Sequence, residues 1–302
     1  MKLQESFVQS VRLYFKEKGE EWLENLPNTI KYCEQKWSIK VQEPYSLSIN
    51  FVAPAIKGNL EEVVVKICVS EEEFLDEWEA LQLFAEKGIV QLIDSDKQGR
   101  IIILEKLSPG HSLAEVTDDE EACLIAANVM KELSARAPVD TRIPTTKSRE
   151  DQLHKLAEEH PNGVGPISNA TLNKARRIFK YLNNTTNQQM LLHGDFHHYN
   201  VLSSGDGLWT AIDPKGLIGE IEYDLIQYML NKLPNKGAYQ VIEKRVDIFT
   251  KELDLDKERL LLWGYCHTVL ATAWTVDGKT YNNSFYRGIG IFENLYQANL
   301  NG

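Results

Sequence analysis

Long apolar runs are missing from this chain of 302 residues. No stretch reaches the roughly 18 consecutive apolar residues of a membrane-spanning helix, and the N-terminus lacks the apolar core of a secretory signal. A soluble, cytoplasmic protein without a membrane partner is expected. Cysteine is scarce: the four present, Cys33, Cys68, Cys123 and Cys266, show no C-x-x-C spacing. Reduced core thiols are therefore expected rather than a disulfide framework. Positive charge is in deficit, with 33 Lys and Arg against 44 Asp and Glu and a formal net charge of −11. A nucleic-acid partner needs a positive face for its phosphates and is disfavoured. An acidic chain suits a cationic small molecule, although acidity also serves solubility alone. No repeat, long low-complexity tract or sign of an obligate protein partner interrupts the chain.

What is present is concentrated in Leu192-His193-Gly194-Asp195-Phe196-His197-His198-Tyr199-Asn200-Val201-Leu202 and, further on, Ala211-Ile212-Asp213-Pro214-Lys215-Gly216. Asp195 and Asn200 have the separation of the Asp and Asn in a kinase catalytic loop, where the acid serves the acceptor hydroxyl and the amide holds metal. Between Asn200 and Asp213 lie an apolar run, the polar turn Ser203-Ser204-Gly205-Asp206-Gly207 and a second apolar run, which predicts a β-hairpin. A hairpin returns the chain to its starting level. Asn200 and Asp213 then converge as two oxygen ligands for magnesium. His193, His197 and His198 with Asp195 could instead suggest zinc, but zinc-binding His pairs usually take helical spacing with a third ligand nearby. His193 reads as a structural brace of the loop.

A kinase centre predicts further parts upstream. Glu62-Val63-Val64-Val65-Lys66-Ile67-Cys68-Val69 is an apolar strand with one lysine inside it, Lys66, placed to hold nucleotide phosphates; an edge-strand lysine that blocks aggregation is the alternative. The following segment, Glu71 to Lys87, predicts a helix with Phe74, Trp78, Leu81 and Phe84 on one face. Glu77 shares that face and Glu79 does not, so Glu77 is the expected partner of Lys66. Two strands around a Lys-Gln-Gly turn come next, and the second ends at Glu105 and Leu107, the expected hinge whose backbone meets the adenine edge. Glycine is absent from Glu43 to Val52, where kinases often cover the phosphates with G-x-G-x-x-G. Ser46 and Ser48 are the candidate substitutes, although serines also form turns for local reasons.

With these motifs the chain resembles the aminoglycoside/hydroxyurea antibiotic-resistance kinases, and within them the streptomycin 6-phosphotransferases. The likeness covers most of the chain. It includes Trp22-Leu23-Glu24-Asn25-Leu26-Pro27, Phe51-Val52-Ala53-Pro54-Ala55, Leu104 through Leu113, the catalytic segment with Asp-Pro-Lys-Gly, and Tyr223-Asp224-Leu225. Phe196 and Tyr199 vary the family loop. The resemblance implies an α+β, two-lobed protein-kinase-like fold, with a small antiparallel-sheet N-lobe and a mainly helical C-lobe. It implies ATP and Mg2+ as cofactors, Asp195 as base, Asn200 and Asp213 as metal ligands, and Lys66 on the nucleotide phosphates. The length favours two lobes, with a boundary near Leu107: 1–107 with the leader helices, and 108–302.

In the second lobe, helices are expected over Glu120 to Arg136, Leu172 to Leu182, Tyr223 to Asn231, Tyr239 to Leu253 and Lys257 to Ala273. Arg142 to Arg149 and His160 to Ser168 are expected to be mobile connections. Gly278-Lys279-Thr280 looks like the end of a P-loop, but Ala273 stands where that motif needs glycine and a helix precedes it. The acceptor is expected to be a hydroxylated, cationic small molecule. Carboxylates pair with guanidinium groups and aromatic faces stack on them, which makes Asp277, Glu220 and Trp274 the candidates; an ordinary turn and a core tryptophan are the alternatives. A housekeeping amino alcohol or sugar as acceptor, or a kinase-shaped binding protein without catalysis, remain open on sequence alone.

Overall fold

The computed structural model describes residues 3–85 and 87–301. The chain divides into two compact units, Met1–Gly110 with Ser203–Leu208, and His111–Leu202 with Trp209–Gly302. The division thus falls just past Leu107.

The first unit opens with α1 (Glu5–Trp37), which is two helices run together: Lys16 leaves helical space at φ 51, ψ −126. The chain doubles back so closely that a Cβ at Gly19 would lie 2.6 Å from Val11 O, an approach only glycine allows. Five strands follow, β1 (Ile39–Val41), β2 (Phe51–Lys57), β3 (Glu62–Ile67), β4 (Leu92–Asp96) and β5 (Ile101–Glu105). They form an antiparallel sheet in the order β1-β2-β3-β5-β4. Strand alternation assigns each side chain a face. Val63, Val65, Ile101 and Ile103 turn to one face, where they form one buried cluster with Phe7, Val11, Trp22 and Leu26 of the leader. Lys66 turns to the other face.

Helix α2 (Glu71–Phe84) joins β3 to β4, with Ser70 as N-cap and Ala85 in the left-handed region ending it. The predicted helix over 71–87 is therefore shorter; position 86 lies outside the described residues. Trp78, expected on the buried face, is only half-buried. Its Nε1 donates to Ser95 Oγ at 3.0 Å, and Lys97 lies over its ring. Glu77 occupies the buried position instead, 2 % exposed.

The second unit contains, in order, α3 (Asp119–Leu133), β6 (Ala135–Arg136), α4 (Thr146–Glu159), α5 (Asn169–Asn184), β7 (Met190–Leu192), β8 (Val201–Gly205), β9 (Leu208–Ala211) and β10 (Leu217–Gly219). The helices α6 (Ile221–Asp224), α7 (Ile226–Leu230), α8 (Ala238–Leu253), α9 (Lys257–Trp274) and α10 (Asn283–Asn301) complete it. Strands β8 and β9 form a hairpin whose tip counts with the first unit, and β10, β7 and β6 make a small sheet in that order. Helix α9 is the core: every residue from Leu260 to Ala273 is buried, as a helix apolar all round must be. Helix α10 packs on it so tightly that a Cβ at Gly264 would lie 2.3 Å from the Phe292 ring.

Two sequence expectations are corrected here. The segment Arg142 to Arg149, expected as a mobile connection, contains the start of α4, whose first turn is capped by Thr145 Oγ1 accepting from Lys147 N. The helix expected over Tyr223 to Asn231 breaks at Leu225 into α6 and α7. Helix α10 was not anticipated, because two glycines and several asparagines weaken its propensity; packing on α9 overrides that. The connection His160 to Ser168 is closed by reciprocal backbone hydrogen bonds of Val164 and Ile167, each 3.0 Å. All four cysteines are buried, and none forms a disulfide. No helix among the described residues is long and apolar enough to cross a membrane.

Trp22 tests the leader's contribution. It is buried, meets Phe7 edge-on and donates its Nε1 to Cys68 O at 3.1 Å. Trp22→Ala should lower stability by about 3–5 kcal/mol, and Trp22→Phe, which loses mainly the hydrogen bond, by about 1 kcal/mol. The urea midpoint followed by circular dichroism measures both.

Candidate active site

Strand β7 delivers the chain into the turn His193-Gly194-Asp195, and β10 pairs antiparallel beside it, Leu217 opposite Leu192. The turn is laced from several sides. Lys215 N and Gly216 N donate to His193 O at 2.8 and 3.0 Å, and Ile212 N donates to Asn200 O at 2.9 Å. The hairpin between them thus closes where the spacing predicted, and Asn200 and Asp213 stand at its two ends. Gly194 has φ +82, and a Cβ there would lie 3.2 Å from Gly216 N, so both conformation and space call for glycine. Asp213 adopts the left-handed region at φ 58, a strained conformation for a residue with a Cβ and a common signature of functional positions.

His193 is buried and braces the turn. Its Nε2 lies 2.9 Å from Ile212 O and its Nδ1 accepts from Asp195 N at 3.3 Å, so the neutral ring with hydrogen on Nε2 satisfies both contacts. Burial lowers its pKa to about 4, consistent with that neutral form. Beneath the turn lies Asp224, a residue the sequence reading quoted without a role. Its two carboxylate oxygens accept from His193 N at 2.7 Å and Gly194 N at 2.8 Å. Burial lifts its pKa to about 7 against the pull of those two donors.

Asp195 projects from this scaffold. Burial raises its pKa above the ordinary carboxylate value; His197 and Lys215 pull it down and Asp213 pushes it up. Its backbone carbonyl accepts from Asn200 Nδ2 at 3.0 Å, which orients the Asn200 amide. Asn200 and Asp213 together offer oxygen donors, the type magnesium takes, and magnesium sites typically need only one or two carboxylates besides water and phosphate oxygens. The Lys215 ammonium lies 3.3 Å from Asp213 Oδ1, so positive charge is already accommodated at that carboxylate. The residues fit a magnesium ion. Phe196 is buried and stacks on Tyr228, while Tyr199 is exposed.

Asp195 and Lys215 also line a cavity of about 280 Å³ within the second unit, together with Arg149, Tyr223, His267 and Trp274. Of the acceptor candidates Trp274 stands here. Glu220 does not serve: it is buried at the start of α6, and one of its oxygens takes Arg259 Nε and Trp263 Nε1, each at 2.8 Å. That carboxylate ties α6 to α9 and is corrected to a structural role. Asp277 is exposed in the turn after α9, bonded through its backbone to Thr280, and stands outside the residues lining the cavity. Sequence reasoning missed Arg149, Tyr223 and His267, because each lies on a helix whose face only packing reveals.

In the first unit, Lys66 and Glu77 form a buried ion pair, Nζ to the two carboxylate oxygens at 2.6 and 2.8 Å. Ser46 and Ser48 are exposed in the loop between β1 and β2, which Gln4 pins by donating to Tyr45 O at 2.8 Å and accepting from Leu47 N at 3.0 Å. The expected hinge needs one correction. Glu105 N donates to Gln91 O at 3.0 Å, and its side chain accepts from Gln91 N at 2.7 Å, so that N–H is committed within the sheet. Leu107, past the end of β5, is half-buried.

Asp224→Asn should cost about 1–3 kcal/mol of stability, because one oxygen facing a backbone N–H becomes a second donor. Chemical denaturation checks the cost. A midpoint equal to that of the parent would show that the carboxylate does not hold the turn.

Similarity to known proteins fits this geometry. The chain is 26% identical over 276 residues to a streptomycin 6-kinase of Streptomyces griseus, covering 87% of this chain and 88% of that one. It is 27% identical over 269 residues to a hydroxyurea phosphotransferase of Kitasatospora aureofaciens, covering 86% and 76%. A crystal structure of a thermostable mutant of aminoglycoside phosphotransferase APH(4)-Ia in ternary complex with ADP and hygromycin B superposes with a TM-score of 0.62 at 14% identity, covering 89% of this chain and 98% of that one. The sequence profile of the aminoglycoside/hydroxyurea antibiotic resistance kinases matches residues 43–278, and the chain belongs to that family.

Proposed function

We propose that this chain transfers the γ-phosphoryl group of ATP to a hydroxyl of a small molecule, an aminoglycoside such as streptomycin, and so acts as an antibiotic-resistance kinase in the cytoplasm. The observation that carries the reading is the braced turn that presents Asp195, with Asn200 and Asp213 at the two ends of one hairpin. Its raised pKa makes Asp195 a better proton acceptor than an exposed carboxylate at neutral pH. Asp195 orients the acceptor hydroxyl and takes its proton as the oxygen bonds to phosphorus and the bond to the ADP oxygen breaks. Lys66, steadied by Glu77, holds nucleotide phosphates. Ser46 and Ser48 face the same phosphates, and the backbone about Leu107 meets the adenine. Asn200 and Asp213 would hold magnesium, which would supply neutralisation of phosphate charge.

Asp195→Asn should lower kcat at least roughly 100-fold with ATP affinity unchanged, since the carboxylate acts mainly in the transition state. The pH profile carries the same signature. Only ionised Asp195 accepts a proton, so kcat falls as pH drops through its raised pKa, and the acid limb should lie above the ordinary carboxylate value. Near-normal turnover in the variant removes Asp195 from the mechanism.

Asp213→Ala should weaken magnesium-dependent ATP binding more than Asn200→Ala, because it removes a full charge where the amide carries only a dipole. Calorimetry with and without magnesium measures both. The opposite ranking would displace Asp213 as the principal ligand.

A further inference from the structure

The cavity beside Asp195 has a charge pattern at odds with free entry of a cation. Asp195 is the single acidic side chain among the described residues that line it, against Arg149 and Lys215, the latter paired with Asp213 at 3.3 Å. His267, also in its wall, is neutral: burial and the charge of Arg149 lower its pKa to about 3. The aromatic platform, Trp274, is 45% exposed and is held edge-on by His267 at 6.3 Å. That platform already carries a guanidinium, for the Arg149 group lies 5.3 Å from the centre of the Trp274 ring.

Arg149 is held there by its helix. It stands in the first turn of α4 between Ser148, whose hydroxyl donates to Thr145 O at 2.8 Å, and the buried Glu150, which accepts from Asn183 Nδ2 at 2.7 Å. Its neighbours are thus anchored on both sides, and no ion pair takes its guanidinium away from the ring among the described residues. A guanidinium on an incoming acceptor would seek the same aromatic face, because flat cations stack there by quadrupole attraction.

We propose that Arg149 is the acceptor-selecting residue of this site: its guanidinium occupies the Trp274 face, so a guanidinium-bearing acceptor must displace it while an acceptor uncharged at that end need not. The inference rests on the acceptor reading given above. It assigns this wall of the cavity to hydroxylated, uncharged groups, and makes the protein's own side chain a competitor of cationic ones. Removing the competitor frees the Trp274 face and takes away a like charge.

The test is a cycle of four full-length proteins, the parent, Arg149→Gln, Trp274→Leu and the double variant, titrated with streptomycin by calorimetry. Arg149→Gln should tighten streptomycin binding by about threefold or more, and the gain should vanish when Trp274 is also replaced. Unchanged or weaker binding in Arg149→Gln overturns the proposal, as does a gain that persists without Trp274, or no binding by any of the four. Phosphorylation of streptomycin, followed in parallel by mass spectrometry, reports on the function separately. Tightened binding without any phosphorylated product refutes streptomycin as acceptor and upholds the role of Arg149; product without tightening does the reverse.

Discussion

The carboxylate of Asp224 is the contact on which the active-site turn depends. Where β7 ends, the N–H groups of His193 and Gly194 leave the strand ladder inside the protein, and unpaired they would each cost a substantial part of a hydrogen bond. Asp224 receives both. With that backbone held, the His193 ring reaches Ile212 O and its carbonyl collects Lys215 N and Gly216 N. One buried acid thereby sets the positions of Asp195, Asn200 and Asp213, three residues that come from two separate segments of chain.

The first unit shows the same economy in a different form. Lys66 and Glu77 are almost fully buried, and a buried ion pair is weak evidence for stability, since desolvation of both charges offsets most of their attraction. Stability there comes instead from the leader, whose Phe7, Val11, Trp22 and Leu26 cover the sheet face opposite Lys66. An apolar pair would pack as well as the lysine and glutamate. Their presence accords with the proposed role on nucleotide phosphates, which needs a cation held in a defined place.

Much of this was legible in the sequence, for identifiable reasons. Hairpin closure between Asn200 and Asp213 followed from two apolar runs around a polar turn, and the choice of Glu77 over Glu79 followed from helical spacing alone. Both are local periodicities. Helix α4 was illegible because its buried stripe, Thr146, Glu150, Leu153 and Ala157, is half polar. Thr146 and Glu150 are satisfied in the core largely by Asn183, which bonds to both at 2.7 Å from the next helix, with Lys147 at 2.6 Å from the other Glu150 oxygen. Glu220 shows the converse error. Its sequence context marks an acid near the expected acceptor site, yet Arg259 and Trp263 lie 39 and 43 residues away along the chain and claim it.

The sequence by itself determined the family, the two-part α+β organisation and the segments that build the braced turn and the buried ion pair, because these depend on residue type at short, fixed spacings. Tertiary structure alone decided which polar side chains remain available. Asp277 and Glu220, Arg149 and His267 differ little in their local patterns. Whether a charge is spent on a structural partner or turned into a cavity depends on elements far apart in the chain, and the desolvation that sets its energy exists only once those elements have packed.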